Sequence, residues 1–95
     1  MVTAQGELRF LGGIMDKLWK IADAMKRAAE RDNHAGLYAE REDLASELSR
    51  YGAWEDEGKR YGEPKPERPT LKSVNDALKF HGYKWNARSG EVVKA

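Results

Sequence analysis

The sequence predicts a mainly α-helical chain that ends in a small β-hairpin. Three observations carry this. Ile14, Leu18, Ile21, Met25 and Ala28 recur at spacings of four, three, four and three, which is the period of one helix face. Three prolines and three glycines crowd into residues 52–69, where neither a regular helix nor a central strand is expected. Two short runs, Tyr83-Lys84-Trp85-Asn86 and Glu91-Val92-Val93-Lys94, flank Ala87-Arg88-Ser89-Gly90 as arms flank a turn. The expected layout over residues 1–95 is one small domain. A helical hairpin (1–51) leads to a Pro-rich linker (52–69), then to a third helix with a two-stranded hairpin (70–95).

Taken in order, residues 7–11 alternate apolar and polar, as a short strand or a helix lead-in would, and Gly12-Gly13 punctuates the chain. The first helix is expected at about 14–31, with Met15, Trp19 and Ala22 widening its apolar stripe. Asp32-Asn33-His34-Ala35-Gly36 interrupts the pattern, and Asp32 or Asn33 is suited to cap a second helix. One long kinked helix is the rival reading. The second helix is expected over about 35–51, through Leu37, Tyr38, Leu44, Ala45, Leu48 and Tyr51, with Gly52 as its left-handed C′ residue. In the linker, Trp54 and Tyr61 are expected to pin the chain onto the helical hairpin. Thr70 is an N-cap type after Pro69; Leu71, Val74 and Leu78 form one face of the third helix, and Gly82 ends it. Gly90 can take positive φ in the hairpin turn. A lone two-stranded hairpin is marginal in water, so it must pack on the third helix or gain a third strand, for which residues 7–11 are the candidate.

Charged residues make up 35% of the chain, against about 25% in an average domain. A thin core beneath a charged surface follows. The net charge is only +1, but it is unevenly spread. Residues 37–57 hold two basic and seven acidic groups, net −5, whereas residues 58–95 hold nine basic and four acidic groups, net +5. There is no cysteine, which removes disulfides, thiolate nucleophiles and cysteine-ligated zinc. No run approaches the ~18 apolar residues of a membrane span. No basic-then-apolar leader opens the chain. A cytoplasmic, intracellular protein without membrane contact is the expectation.

Catalytic constellations are not evident. Ser46, Ser49, Ser73 and Ser89 lie outside any Gly-x-Ser-x-Gly, and the phosphate-cradling glycine loops are missing. His34 and His81 lack carboxylates at metal-ligand spacing. His34 reads as a loop residue and His81 as a cation at a helix C-terminus. No catalytic residue, metal or cofactor is expected, and the chain is read as a non-enzyme.

Two surfaces carry binding chemistry instead. Glu40, Asp43 and Glu47, spaced three and four, share one helix face, and Glu55, Asp56 and Glu57 extend the acidic run. These six are the candidate contacts for a basic protein groove. Lys79, Lys84, Trp85 and Arg88 form the alternative address, a nucleic-acid surface in which cations meet phosphates and rings stack on bases. In the competing structural reading Phe80, Tyr83 and Trp85 form a mini-core, with at least Trp85 buried.

The run Ala77-Leu78-Lys79-Phe80-His81-Gly82-Tyr83-Lys84-Trp85-Asn86-Ala87-Arg88-Ser89-Gly90-Glu91-Val92 resembles a helix–Gly–strand–turn–strand element of mobile-element proteins and DNA-processing accessory domains, including the small repeat domain of annealing helicases. Gly82, Lys84, Trp85 and Asn86 match its Gly-x-Arg/Lys-Trp/Tyr-Asn/Asp run; Val92 or Val93 stands where a second aromatic is usual. The resemblance spans about the last 20 residues, and it implies nucleic-acid-associated business and a phage or mobile-element origin.

The function expected from the sequence is therefore a compact inhibitor or adaptor, of an anti-defence, anti-CRISPR-like kind, docking on a larger host protein or nucleoprotein complex. The alternative is a small nucleic-acid binder. A third reading is a homo-oligomer assembled through Ile14, Leu18, Ile21 and Met25.

Overall fold

The computed structural model describes residues 13–95. Its elements run α1 (Ile14–Arg31), α2 (Ala35–Asp56), a 3₁₀ turn (Gly58–Tyr61), α3 (Leu71–Phe80), β1 (Tyr83–Asn86) and β2 (Glu91–Lys94). The predicted mainly helical architecture with a C-terminal hairpin is what the chain adopts. The stretch proposed as a third strand, residues 7–11, lies outside the described residues. Among the described residues the sheet has two antiparallel strands, paired Tyr83 with Lys94 and Trp85 with Val92.

α1 buries its predicted stripe. Leu18, Ile21 and Met25 are at most 1% exposed and pack with Leu37, Leu44 and Leu48 of α2, Val74 and Leu78 of α3, and Tyr83 and Val92 of the hairpin. One cluster thus joins all three helices to the hairpin. Burying Leu18, Ile21 and Met25 inside the chain removes them from any contact between copies, so the oligomer stripe is corrected to a core stripe; Ile14 is only partly buried.

The break between α1 and α2 is a turn, not a kink. Asn33 sits at φ 51°, in the left-handed region, and ends the helical path. The cap of α2 differs from expectation. It is supplied by His34, whose Nδ1 accepts from the Leu37 amide at 2.9 Å, rather than by Asp32 or Asn33. Asp32 is drawn instead toward Arg31 and Tyr83. α2 also runs past Gly52 to Asp56, because Ala53 and Trp54 continue it and Trp54 finds a partner beyond its end. Gly52 is therefore a helix-interior residue.

Trp54 pins the linker as expected: its Nε1 donates to the Glu63 carbonyl at 3.0 Å, and Lys59 and Lys65 lie over its ring at 5.7 Å. Tyr61 does not share the task and stands 72% exposed. Thr70 caps α3 through a reciprocal box with Ser73. Gly82 (φ 80°) ends α3, and Gly90 (φ 73°) closes the hairpin turn, as predicted. In the mini-core the aromatic roles are redistributed. Tyr83 is buried, Trp85 is half-buried, and Phe80 is 85% exposed, because it falls on the outer side of the last turn of α3. No described helix is long and apolar enough to cross a membrane.

Candidate functional site

The first candidate surface is a crease between α2 and α3. Glu40, Asp43 and Glu47 form its acidic rim, because spacings of three and four bring them onto one side of α2. Pro69, Ser73 and Ala77 make the facing wall, and Met25, Leu44 and Val74 the apolar floor. The volume is about 210 Å³. At one end Glu40 Oε1 lies 3.4 Å from His81 Nε2.

The other three predicted acidic contacts do not join this crease. Glu55, Asp56 and Glu57 sit exposed at the C-terminal end of α2, about 12 Å or more along the helix axis from Glu47 at 1.5 Å per residue. Cations lie close to this end of the helix. Glu55 faces Lys59 at 3.9 Å, the Asp56 carbonyl accepts from Arg60 at 3.5 Å, and Lys65 and Arg68 fold over Trp54 and Tyr51. The six carboxylates thus divide into three that rim the crease and three at the end of α2, of which Glu55 is ion-paired.

The alternative basic set is also divided. Lys79 is exposed in the last turn of α3, where a cation offsets the helix dipole. Lys84 is exposed on one face of β1, and Trp85, the next residue, lies on the other face and packs against the core. Arg88 lies in the turn, its amide held by Asn86 Oδ1 at 3.0 Å.

Trp85 meets side chains of another element. It shares a cleft of about 760 Å³ with Trp19, Lys17, Lys20 and Arg27 of α1. Asp16 and Asp23 line the same cleft. Arg27 Nη2 donates to the Gly90 carbonyl at 3.2 Å and so ties α1 to the hairpin turn. The stripe Asp16, Lys20, Asp23, Arg27 has helical spacing, so its common face was readable. Its meeting with Trp85 depended on the tertiary fold.

A third cluster gathers both histidines. His34 stands edge-on to His81 and to Tyr83, each at 5.5 Å between ring centroids. Tyr83 Oη donates to Asp32 Oδ2 at 2.8 Å. The Arg31 guanidinium, and then the Tyr83 hydroxyl, hold the Asp32 carboxyl well below the usual carboxylate range. Burial, and then the bond to Asp32, push the Tyr83 hydroxyl up. With His34 Nδ1 occupied by a backbone amide, the cluster works as a cap and a strut. Among the described residues no group of three or more histidine or acidic side chains is placed to hold a metal ion.

No protein-family model, curated protein or solved structure matches this chain.

Proposed function

We propose that this chain is a non-enzymatic docking protein, an inhibitor or adaptor of the kind a phage or mobile element encodes, that acts in the cytoplasm of a host cell. It takes a basic, partly apolar segment of a larger host protein or nucleoprotein complex into the α2–α3 crease. The observation that carries this is the pairing of the Glu40, Asp43 and Glu47 rim with the Met25, Leu44 and Val74 floor. An acidic helix face turned wholly to solvent would have no such floor. At about 210 Å³ the crease is smaller than the roughly 300–1,000 Å³ of small-molecule sites, so it suits one side chain of a partner better than a whole ligand. A partner cation at the rim fixes register and speeds encounter, while the apolar side chain supplies burial.

The test is capture of host proteins by the full chain, compared with the triple variant Glu40→Gln, Asp43→Asn, Glu47→Gln. The proposal expects a protein captured by the wild type to be lost by this variant. It expects that protein to be kept when Glu55, Asp56 and Glu57 are neutralised instead. Equal capture by the wild type and the first variant would overturn it.

A further inference from the structure

We infer that the cleft between α1 and the C-terminal hairpin is a binding site for a short stretch of single-stranded nucleic acid. The site is separate from the acidic crease. At about 100° per residue, Lys20, Asp23 and Arg27 fall on the side of α1 opposite Met25, which floors the crease.

Three features specify the ligand. The cleft, at about 760 Å³, is within the size range of ligand sites and is open rather than filled by core side chains. It presents two indoles, Trp19 and Trp85, each half-buried and backed by the core, so the rings are fixed in place and partly accessible. It also presents three exposed cations. Lys17 and Lys20 are one turn apart, and Arg27 lies about 10 Å farther along the helix axis. Rings on which bases stack, set among cations that follow a backbone, are what single strands require.

The two carboxylates in the cleft are partly offset. Asp23 Oδ1 is 3.9 Å from Arg41 Nη2, and Asp16 lies in the first turn of α1, where the positive helix end offsets it. That leaves Lys17, Lys20 and the donors of Arg27 not engaged with the Gly90 carbonyl for phosphates. A duplex is disfavoured because its bases are already stacked on one another and cannot reach the indoles. An acidic peptide would satisfy the cations but leave the rings without planar partners.

The test uses the full chain carrying Trp54→Phe, so that indole fluorescence reports only Trp19 and Trp85. It is titrated with oligo(dT) and oligo(rU) of about ten nucleotides, at salt from about 50 to 200 mM. The expected result is quenching whose affinity falls steeply with salt. Lys17→Glu with Lys20→Glu should weaken it by at least about tenfold with helicity unchanged, since neither lysine makes an ion pair among the described residues. Lys79→Glu with Lys84→Glu, neither of which lines the cleft, should have much the smaller effect. Absence of quenching at low salt, equal competition by polyglutamate, or greater sensitivity to the Lys79 and Lys84 pair would each overturn the inference. None of these results bears on capture through Glu40, Asp43 and Glu47, so the two proposals fail separately.

Discussion

The hydroxyl of Tyr83, the first residue of β1, donates to the Asp32 carboxylate in the turn between α1 and α2, at 2.8 Å and across 51 positions of chain. Asp32 also accepts from Arg31 Nε and Nη2, at 3.0 and 2.9 Å, and Arg31 Nη2 reaches the Val92 carbonyl at 3.4 Å. The hairpin is therefore tied to the helical pair by one polar knot at the edge of the core. A two-stranded hairpin has too little surface to stand alone, and this knot, with Val92 and Tyr83 in the core, supplies what it lacks.

The knot sets a pH window for stability. The folded Asp32 carboxyl lies below its unfolded value, so its contribution is complete above about pH 4 and is lost as pH falls toward the folded value. The Tyr83 hydroxyl is shifted up, so its contribution is complete below about pH 10 and is lost as pH rises through the folded value. Urea midpoints across pH should show a plateau between these limits. In Asp32→Asn both the acid-side and the alkaline-side losses should be smaller. An unchanged pH profile in that variant would contradict the assignment.

Tyr83→Phe keeps the buried ring and removes only the hydroxyl. Loss of one hydrogen bond to a charged acceptor that Arg31 still holds should cost about 1 kcal/mol. The hairpin amides should lose protection from hydrogen exchange before those of α1 do. Equal loss throughout the chain would mean that the hydroxyl supports the whole core.

His34→Ala should destabilise the chain by about 1 kcal/mol, because the Leu37 amide loses the acceptor that begins α2. His34→Asp should recover much of this, since a carboxylate is a good cap and suits the positive end of a helix. Chemical denaturation of the two variants side by side decides it. If both lose equally, the contacts of the imidazole with His81 and Tyr83 matter more than the cap.

How far the fold was readable follows from the range of each signal. The Leu18, Ile21, Met25 stripe, the Thr70 cap and the Gly82 and Gly90 turns are local, and each is encoded within a few residues. Gly52 misled because a glycine after an apolar helix face is the usual stop, yet the residues after it sustain the helix and Trp54 is anchored by a carbonyl nine positions on. Trp85 and Lys84 are neighbours in sequence, but Lys84 lies on the opposite face of the strand, and the cations that line the cleft with Trp85 come from α1. Asp32, like Asn33, reads as a candidate cap because nothing in its own segment points to a tyrosine beyond the linker. Sequence position encodes faces and stops. Which faces meet depends on how the linker returns the chain.

Gly52→Ala should stabilise the chain by about 0.5–1 kcal/mol. The residue lies inside α2, where glycine costs backbone entropy, and an added Cβ would meet nothing within 4 Å. Thermal unfolding should shift upward. A downward shift would mean that α2 ends near residue 51 in solution.

Gly58→Ala should act in the opposite direction, although it differs by the same methyl group. Gly58 is buried at the start of the 3₁₀ turn, and a Cβ there would lie 2.8 Å from Glu63 Oε1 and 2.9 Å from Trp54 Cδ1. The Glu63 carboxylate can swing aside. The indole cannot do so freely, because its Nε1 is bonded to the Glu63 carbonyl and the ammonium groups of Lys59 and Lys65 lie over its ring. Displacing it should cost about 1–3 kcal/mol, the usual range for overpacking. It should also free the linker, with faster proteolysis between residues 57 and 68 and a shift of Trp54 emission toward that of a solvated indole. Unaltered emission would show that the ring has room to spare, and that Gly58 is not what admits it.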